Sequence, residues 1–239
     1  MQIKIDYLVN KFKESGLDIT KEQAKQFIKY YELLVEWNSF MNLTAIVEYE
    51  EVVLKHFIDS VSLYKIVDLT NINNLIDVGT GAGFPAIPLK IMYPHLKVTM
   101  IDSLNKRVKF LNEVIMELGL TDIVALHGRA EDYARDASHR EKYDLAVSRA
   151  VANLSTLSEY CLPYVKVGGS FIAYKSEKLS DEAKTAQNAI KLLSGKYENQ
   201  VEYTLPDSDI YRILCEIKKV NKLHSKYPRK AGLPGKEPL

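Results

Sequence analysis

The feature that most constrains this chain of 239 residues is the segment Asn74–Lys90, NLIDVGTGAGFPAIPLK. An apolar run, Leu75-Ile76-Asp77-Val78, stops at three glycines in alternate positions, Gly79, Gly81 and Gly83, and apolar residues resume at Ile87, Leu89 and Ile91. The pattern predicts a strand, a tight turn and a helix start. Such a loop brings a ligand against bare backbone, because glycine turns sharply and has no Cβ to collide with it. A turn by itself needs one glycine, and three at a strand end favour a bound ligand. The spacing narrows the class. A dinucleotide loop, G-x-G-x-x-G, would place its third glycine at position 84, where Phe84 stands. The form here is D-x-G-x-G-x-G, with Asp77 two residues ahead of Gly79.

That form resembles the first motif of class I S-adenosylmethionine (AdoMet)-dependent methyltransferases. The remaining pattern fits the same fold. Residues 1–70 read as helices: Thr20 and Gln23 form a capping box, and Ala24, Phe27, Ile28, Tyr31, Leu34 and Val35 recur at helical spacing. Trp37 and Phe40 carry apolar content to the loop 38–45, and a third helix is expected over 50–66. Their apolar stripes need something to cover, so this region is expected to be a helical cap and not a separately folding unit. Residues 71–239 alternate strand and helix. Strands are expected at Leu75–Val78, Val98–Ile101, Ile123–Leu126, Tyr143–Val147 and Phe171–Tyr174, with a helix over 181–193 and a closing hairpin of 197–204 and 210–217. Together these give an α/β fold, a Rossmann-like parallel sheet with a C-terminal antiparallel hairpin and an N-terminal helical cap.

Composition excludes several alternatives. No run approaches the ~20 apolar residues of a membrane span, and the start lacks the core of a secretion signal, so a cytoplasmic protein is expected. Cys161 and Cys215 have no partner motif for a zinc site and read as buried thiols. Net charge is +1, but it is unevenly spread: Lys218 to Lys236 holds seven Lys or Arg and no acid, and Lys106-Arg107-Lys109 open the helix after strand two. Such patches either release counterions from a phosphate backbone or are solvated surface. The basic tail is the one stretch expected to be disordered.

Four further positions could carry chemistry. Asp102, ending strand two, could accept hydrogen bonds from ribose hydroxyls or simply start a turn. At the end of strand three, Ala130 backbone and Glu131 could meet an adenine edge, although acids also favour a helix first turn. After strand four, Ser148-Arg149-Ala150 offers a fixed cation, and neither an amine-methylating Asp/Asn-Pro-Pro-aromatic motif nor a suitable cysteine nucleophile occurs. Guanine N7 has an in-plane lone pair and no proton to lose, so it needs alignment and no base. His56, Asp59 and Ser60, at i, i+3 and i+4, share a helix face, either a solvated polar stripe or a substrate-facing wall.

Read together, N-L-T-A (Asn42–Ala45), H-x-x-D-S (His56–Ser60), D-V-G-T-G-A-G-F-P (Asp77–Pro85), G-R-A-E (Gly128–Glu131), S-R-A (Ser148–Ala150) and Y-P-R-K-x-G-x-P (Tyr227–Pro234) resemble the RsmG/GidB family. These are bacterial 16S ribosomal RNA guanine-N7 methyltransferases. One departure is Ala86, where the family usually has glycine. The resemblance implies an AdoMet-dependent cytoplasmic enzyme acting near the decoding centre of the small ribosomal subunit, with no need for more than a monomer. It implies AdoMet or active-site contacts at Gly79, Phe84, Ala130, Glu131 and Arg149, with Arg149 as the active-site cation; the glycine loop and the end of strand two add Thr80, Gly81, Gly83 and Asp102 as expected cofactor contacts. The RNA would meet Asn42, Thr44, His56, Asp59, Ser60, Arg107, Arg229 and Lys230. The remaining alternatives are a small-molecule or protein methyltransferase on the same fold, or a non-catalytic AdoMet-binding regulator.

Overall fold

The structure is a computed structural model that describes residues 2–149, 152–176 and 179–239, with the backbone alone at 179–181. Among these described residues the sheet has seven strands: β1 (Asn74–Val78), β2 (Lys97–Asp102), β3 (Ile123–His127), β4 (Tyr143–Arg149), β5 (Val165–Lys175), β6 (Gly195–Thr204) and β7 (Tyr211–Lys219). Their order is β3-β2-β1-β4-β5-β7-β6, with the first five parallel and β7 antiparallel to both β5 and β6. The strand order reverses between β1 and β4, and the glycine turn follows β1 at that point, where such sheets open a ligand crevice.

Successive residues in a strand face opposite ways, and each face has its own core. Leu75, Leu145, Val147 and Ile172 point into one; Ile76, Ala146, Phe171 and Ala173 point into the other. The first core is completed by α1 (Gln2–Glu14), α2 (Lys21–Met41) and the helical stretch after it, together with α5 (Ala86–Met92) and α6 (Asn105–Glu117). The second is completed by α7 (Ala130–Tyr133), α8 (Leu154–Cys161), α9 (Leu179–Leu192) and, from the C-terminal segment, Leu223 and Tyr227. Strand β4 is buried from Tyr143 to Ser148, as expected for a strand covered on both faces.

The capping box at Thr20 and Gln23 forms, with bonds of 3.2 and 2.8 Å. Gln23 Nε2 also donates to the Ile91 and Met92 carbonyls, so the cap that starts α2 docks it onto the end of α5. Phe12, Phe27 and Phe57 then form a ladder at 4.9 Å spacings, and Phe57 reaches Tyr30 and Phe84. Burying each such ring is worth about 1.5–3 kcal/mol.

Two expectations need correction. The helix expected over 50–66 runs unbroken over 49–65, but its hydrogen bonding changes along it: α3 (Tyr49–Val52), a π-helix (Val53–Ile58), α4 (Asp59–Val61) and a 3₁₀ turn (Ser62–Lys65). The wider π turn changes which side chains share a face. The basic tail is also packed: Leu223, Tyr227 and Pro234 are buried. Arg140 donates to the Tyr227, Leu223 and His224 carbonyls, and Arg229 pairs with Glu159. Charge composition had pointed to disorder, but the apolar residues between the lysines hold this strap down.

Candidate active site

The loop after β1 takes left-handed backbone at Gly79, Gly81 and Gly83, with φ of 75°, 62° and 96°. Its folds are fastened from three sides. The Gly79 and Thr80 N–H groups donate to the Ile101 carbonyl, and Thr80 Oγ1 donates to Asp77 Oδ2 at 2.7 Å. Asp77 Oδ2 also accepts the Ala86 N–H, while Tyr30 Oη donates to the Ala82 carbonyl. Asp77 is fully buried, and burial pushes its carboxyl up to about 7. Its Oδ1 is buried and has no hydrogen-bond partner among the described residues.

Asp102 does more for the loop than its sequence position suggests. Oδ2 accepts the Gly81 N–H at 2.9 Å and meets Arg107 at 3.3 Å, and Oδ1 accepts the Leu104 N–H. This carboxylate therefore clamps the glycine loop to the start of α6. Beside it lies a cavity of about 390 Å³, lined by Leu43, Thr44, His56, Gly79 to Ala82, Phe84, Asp102, Ser103, Arg107 and Arg149.

A second cavity, of about 500 Å³, is lined by Lys55, His56, Asp59, Arg149, Lys175 and Arg212 among others. The two cavities share His56 and Arg149. The π-helix carries His56, and the ring lies flat on Phe84 with centroids 4.4 Å apart and planes at 20°. The Arg149 guanidinium stands 5.1 Å from the centre of the same Phe84 ring, within cation–π range. Arg149 Nη1 donates to the Lys55 carbonyl at 3.0 Å and to Asp59 Oδ2 at 2.9 Å. Arg212, on β7, donates from Nε to Asp59 Oδ1 at 3.1 Å, so one buried carboxylate lies between two guanidiniums.

His56 Nδ1 is 3.2 Å from Arg149 Nη2, and Nε2 is 3.0 Å from Thr44 Oγ1. Nδ1 also lies 3.1 Å from the Lys55 carbonyl, which can only accept, whereas the Arg149 guanidinium can only donate, so the two contacts at Nδ1 call for opposite tautomers. Burial, reinforced by Arg149, lowers the His56 pKa to about 3. At neutral pH the ring is uncharged.

The expected residues thus divide. Thr44, His56, Asp59, Gly79, Thr80, Gly81, Phe84, Asp102, Arg107 and Arg149 line one or both cavities. Gly83 lies beneath the loop: a Cβ there would stand 2.8 Å from Tyr30 Oη. Ser60 is fully buried and donates to the His56 carbonyl, so it braces the helix and does not face a cavity. The polar stripe expected at His56–Ser60 is buried and not solvated. Asn42 is the exposed left-handed C-cap of α2. The Ala130 carbonyl accepts from Tyr164 Oη and Glu131 accepts the Gly232 N–H, and neither residue is among those lining the two cavities. Arg229 is held by Glu159, while Lys230 is exposed. Ala150 lies outside the described residues. Sequence reasoning missed Tyr30, Arg212 and Glu159. Tyr30 reads as one more core residue of α2, and no local pattern marks an arginine in β7.

A sequence model described as rRNA small subunit methyltransferase G matches residues 23–232. The chain belongs to the rRNA small subunit methyltransferase G family. The reaction class that goes with this family is methyl transfer to ribosomal RNA of the small subunit. Its relatives include the "Ribosomal RNA small subunit methyltransferase G" of Lachnoclostridium phytofermentans, 57% identical over 224 residues, covering 94% of this chain and 93% of the relative. That of Alkaliphilus metalliredigens is 54% identical, covering 95% of each. Among solved structures, a SAM-dependent methyltransferase from Aquifex aeolicus superposes with a TM-score of 0.53 at 18% identity, over 71% of this chain and 93% of that one. TYW2 from M. jannaschii in complex with AdoMet gives 0.50 at 15% identity, over 63% and 71%. These distant neighbours bear out the Rossmann-like fold. Among the described residues, no helix is long and apolar enough to cross a membrane.

Proposed function

We propose that this family member transfers a methyl group from AdoMet to N7 of a guanine in 16S rRNA, near the decoding centre of the small subunit, as a cytoplasmic monomer. The observation that carries the reading is the pair of cavities meeting at His56 and Arg149. The glycine-loop cavity fits AdoMet: it is within the usual size for such ligands, and Gly81 has open space where a Cβ would stand. Gly79, Thr80, Gly81 and Phe84 would hold the cofactor there, with Asp102 and Gly83 shaping the loop. Bound there, AdoMet supplies a sulfonium-activated methyl group, and S-adenosylhomocysteine is the product.

The second cavity suits the acceptor base. A guanine presents N7 and O6 as acceptors, and arginine is the usual donor to that edge. Arg149 would donate to O6, leaving the N7 lone pair free to attack the methyl, and hold the base against the shared wall, oriented by Asp59 and Arg212. His56 has no proton to remove from N7, and its neutrality is useful: a cation there would oppose the positive charge that moves onto the purine. Asp59 offsets the two arginines that flank that charge. Catalysis is then mostly positioning and electrostatics.

The test is transfer of labelled methyl to 16S rRNA and to small subunits by the purified protein, with the product mapped as N7-methylguanine. Arg149→Ala should lower kcat by about 100-fold, the usual cost of removing a preorganised donor. Methyl transfer to a small molecule or protein alone, or AdoMet binding without any transfer, would overturn the reading.

A further inference from the structure

Phe40 is out of place for a residue whose only task is folding. It lies in the last turn of an otherwise amphipathic helix, and it is 67% exposed. Its ring is nevertheless backed: Trp37 lies 5.6 Å away, and Trp37 in turn rests 5.7 Å from Phe110 on α6. The last turn of α2 is tied to α6 as well, since Lys106 Nζ donates to the Met41 carbonyl at 2.9 Å. Asn38 Oδ1 accepts the Leu43 and Thr44 N–H groups and fixes the loop that runs on from Phe40. Leu43 and Thr44 already line the glycine-loop cavity, and Thr44 holds His56. Phe40 is therefore a rigidly mounted, solvent-facing ring a few residues from the rim of the active site.

Its surroundings match one kind of partner. Lys106 and Lys109 are exposed on the first turns of α6, Arg107 lines the cavity beside them, and Leu104 is 43% exposed. An aromatic face flanked by cations is how proteins hold unpaired nucleotides: the ring stacks on a base and the cations meet its phosphates. We propose that Phe40 is a stacking platform for an unpaired base of the RNA substrate next to the target guanosine, with Lys106 and Lys109 against the adjoining phosphates. This rests on the rRNA reading above.

Trp37 is the only tryptophan in the chain, so its emission reports events at Phe40. The experiment titrates the full chain with deproteinised 16S rRNA and with small subunits. It follows Trp37 fluorescence, methyl-transfer kinetics and, separately, AdoMet binding. Expected are quenching of Trp37 by rRNA and a rise in KM for rRNA of about 5- to 100-fold in Phe40→Ala. The kcat at saturating rRNA and the AdoMet affinity should not change, and Phe40→Tyr should stay within about twofold of the parent. An unchanged KM in Phe40→Ala overturns the platform while leaving the methyltransferase reading intact. So does an effect seen on small subunits but not on bare rRNA, which would make the contact a protein, or a loss of self-association in Phe40→Ala, which would make it a second copy of the chain. Failure of the parent protein to methylate rRNA while it binds AdoMet would sink both.

Discussion

Replacing Asp59 by asparagine probes the centre of the site with almost no change of shape. The parent carboxylate is 4% exposed and receives Arg149 at 2.9 Å and Arg212 at 3.1 Å. Both arginine side chains are less than a third exposed, so solvent screens these contacts only in part. The amide of the Asp59→Asn variant would keep one acceptor, turn its NH₂ toward the other guanidinium and leave two cations facing each other. Breaking a buried ion pair from one side costs about 3–5 kcal/mol, and the surviving acceptor argues for the low end, about 3 kcal/mol. For a chain of this size that is a fall in Tm of about 6–12 °C. Differential scanning calorimetry reads it directly. Adding Arg212→Gln should recover part of the loss, because it removes one of the two opposed charges, and the non-additivity measures the coupling. Assayed below the onset of melting, Asp59→Asn should also lower kcat by about 100-fold, because Arg149 loses its support. A Tm within about 2 °C of the parent, with strictly additive losses in the double variant, would refute the reasoning.

Further tests follow from other parts of the site. The His56 pKa is lowered from 6.5 to about 3 by burial and then by Arg149, so the folded chain binds that proton less readily than the unfolded one. Its contribution to stability is full above about pH 6.5 and is lost toward pH 3 at about 1.4 kcal/mol per pH unit; His56→Gln should flatten this limb in urea titrations. Burial raises Asp77 from 3.8 to about 7, so docking a sulfonium beside this loop should drive out a proton. Calorimetry near pH 7 in buffers of different ionisation enthalpy should show proton release on AdoMet binding, absent in Asp77→Asn. Gly83→Ala should destabilise more than Gly81→Ala, since its Cβ would meet Ile87 at 2.5 Å and Tyr30 at 2.8 Å, whereas Gly81 has open space. The Gly81 variant should lose AdoMet affinity at a cost in stability of only about 1–2 kcal/mol. Exchanging the exposed Lys222, Lys226 and Lys230 for Gln should leave the strap folded, and any RNA contact there would appear as a shallower salt dependence of rRNA binding.

The parts of this molecule that were legible in its sequence are those set by short-range chemistry. Alternating apolar residues and glycine punctuation placed all five parallel strands and the hairpin, and the capping box at Thr20 was visible from two residues three apart. Asp102 was assigned to a ligand because strand-end acids often serve that purpose, and the fold turns both its oxygens to backbone N–H groups. His56 and Asp59 were recognised as a polar pair, but their burial was not, because it depends on a π turn and on Arg212, 153 residues further along the chain. The packing of the tail is hidden from its sequence for the same reason: Glu159 and Arg140, which hold it, lie far from it in sequence.

That strap has a consequence for how the molecule is made. Glu131 and Glu159 are both buried and receive the Gly232 and Arg229 N–H groups from a segment synthesised long after them. Until residues 229–232 leave the exit tunnel, these two carboxylates have no donor from that segment. Buried unpaired acids are costly, so nascent chains that stop short of the strap should stay open and be recognised by proteases. The second core is thus completed only once the strap is made, and a product terminated before residue 229 would be cleared before it could compete for its RNA.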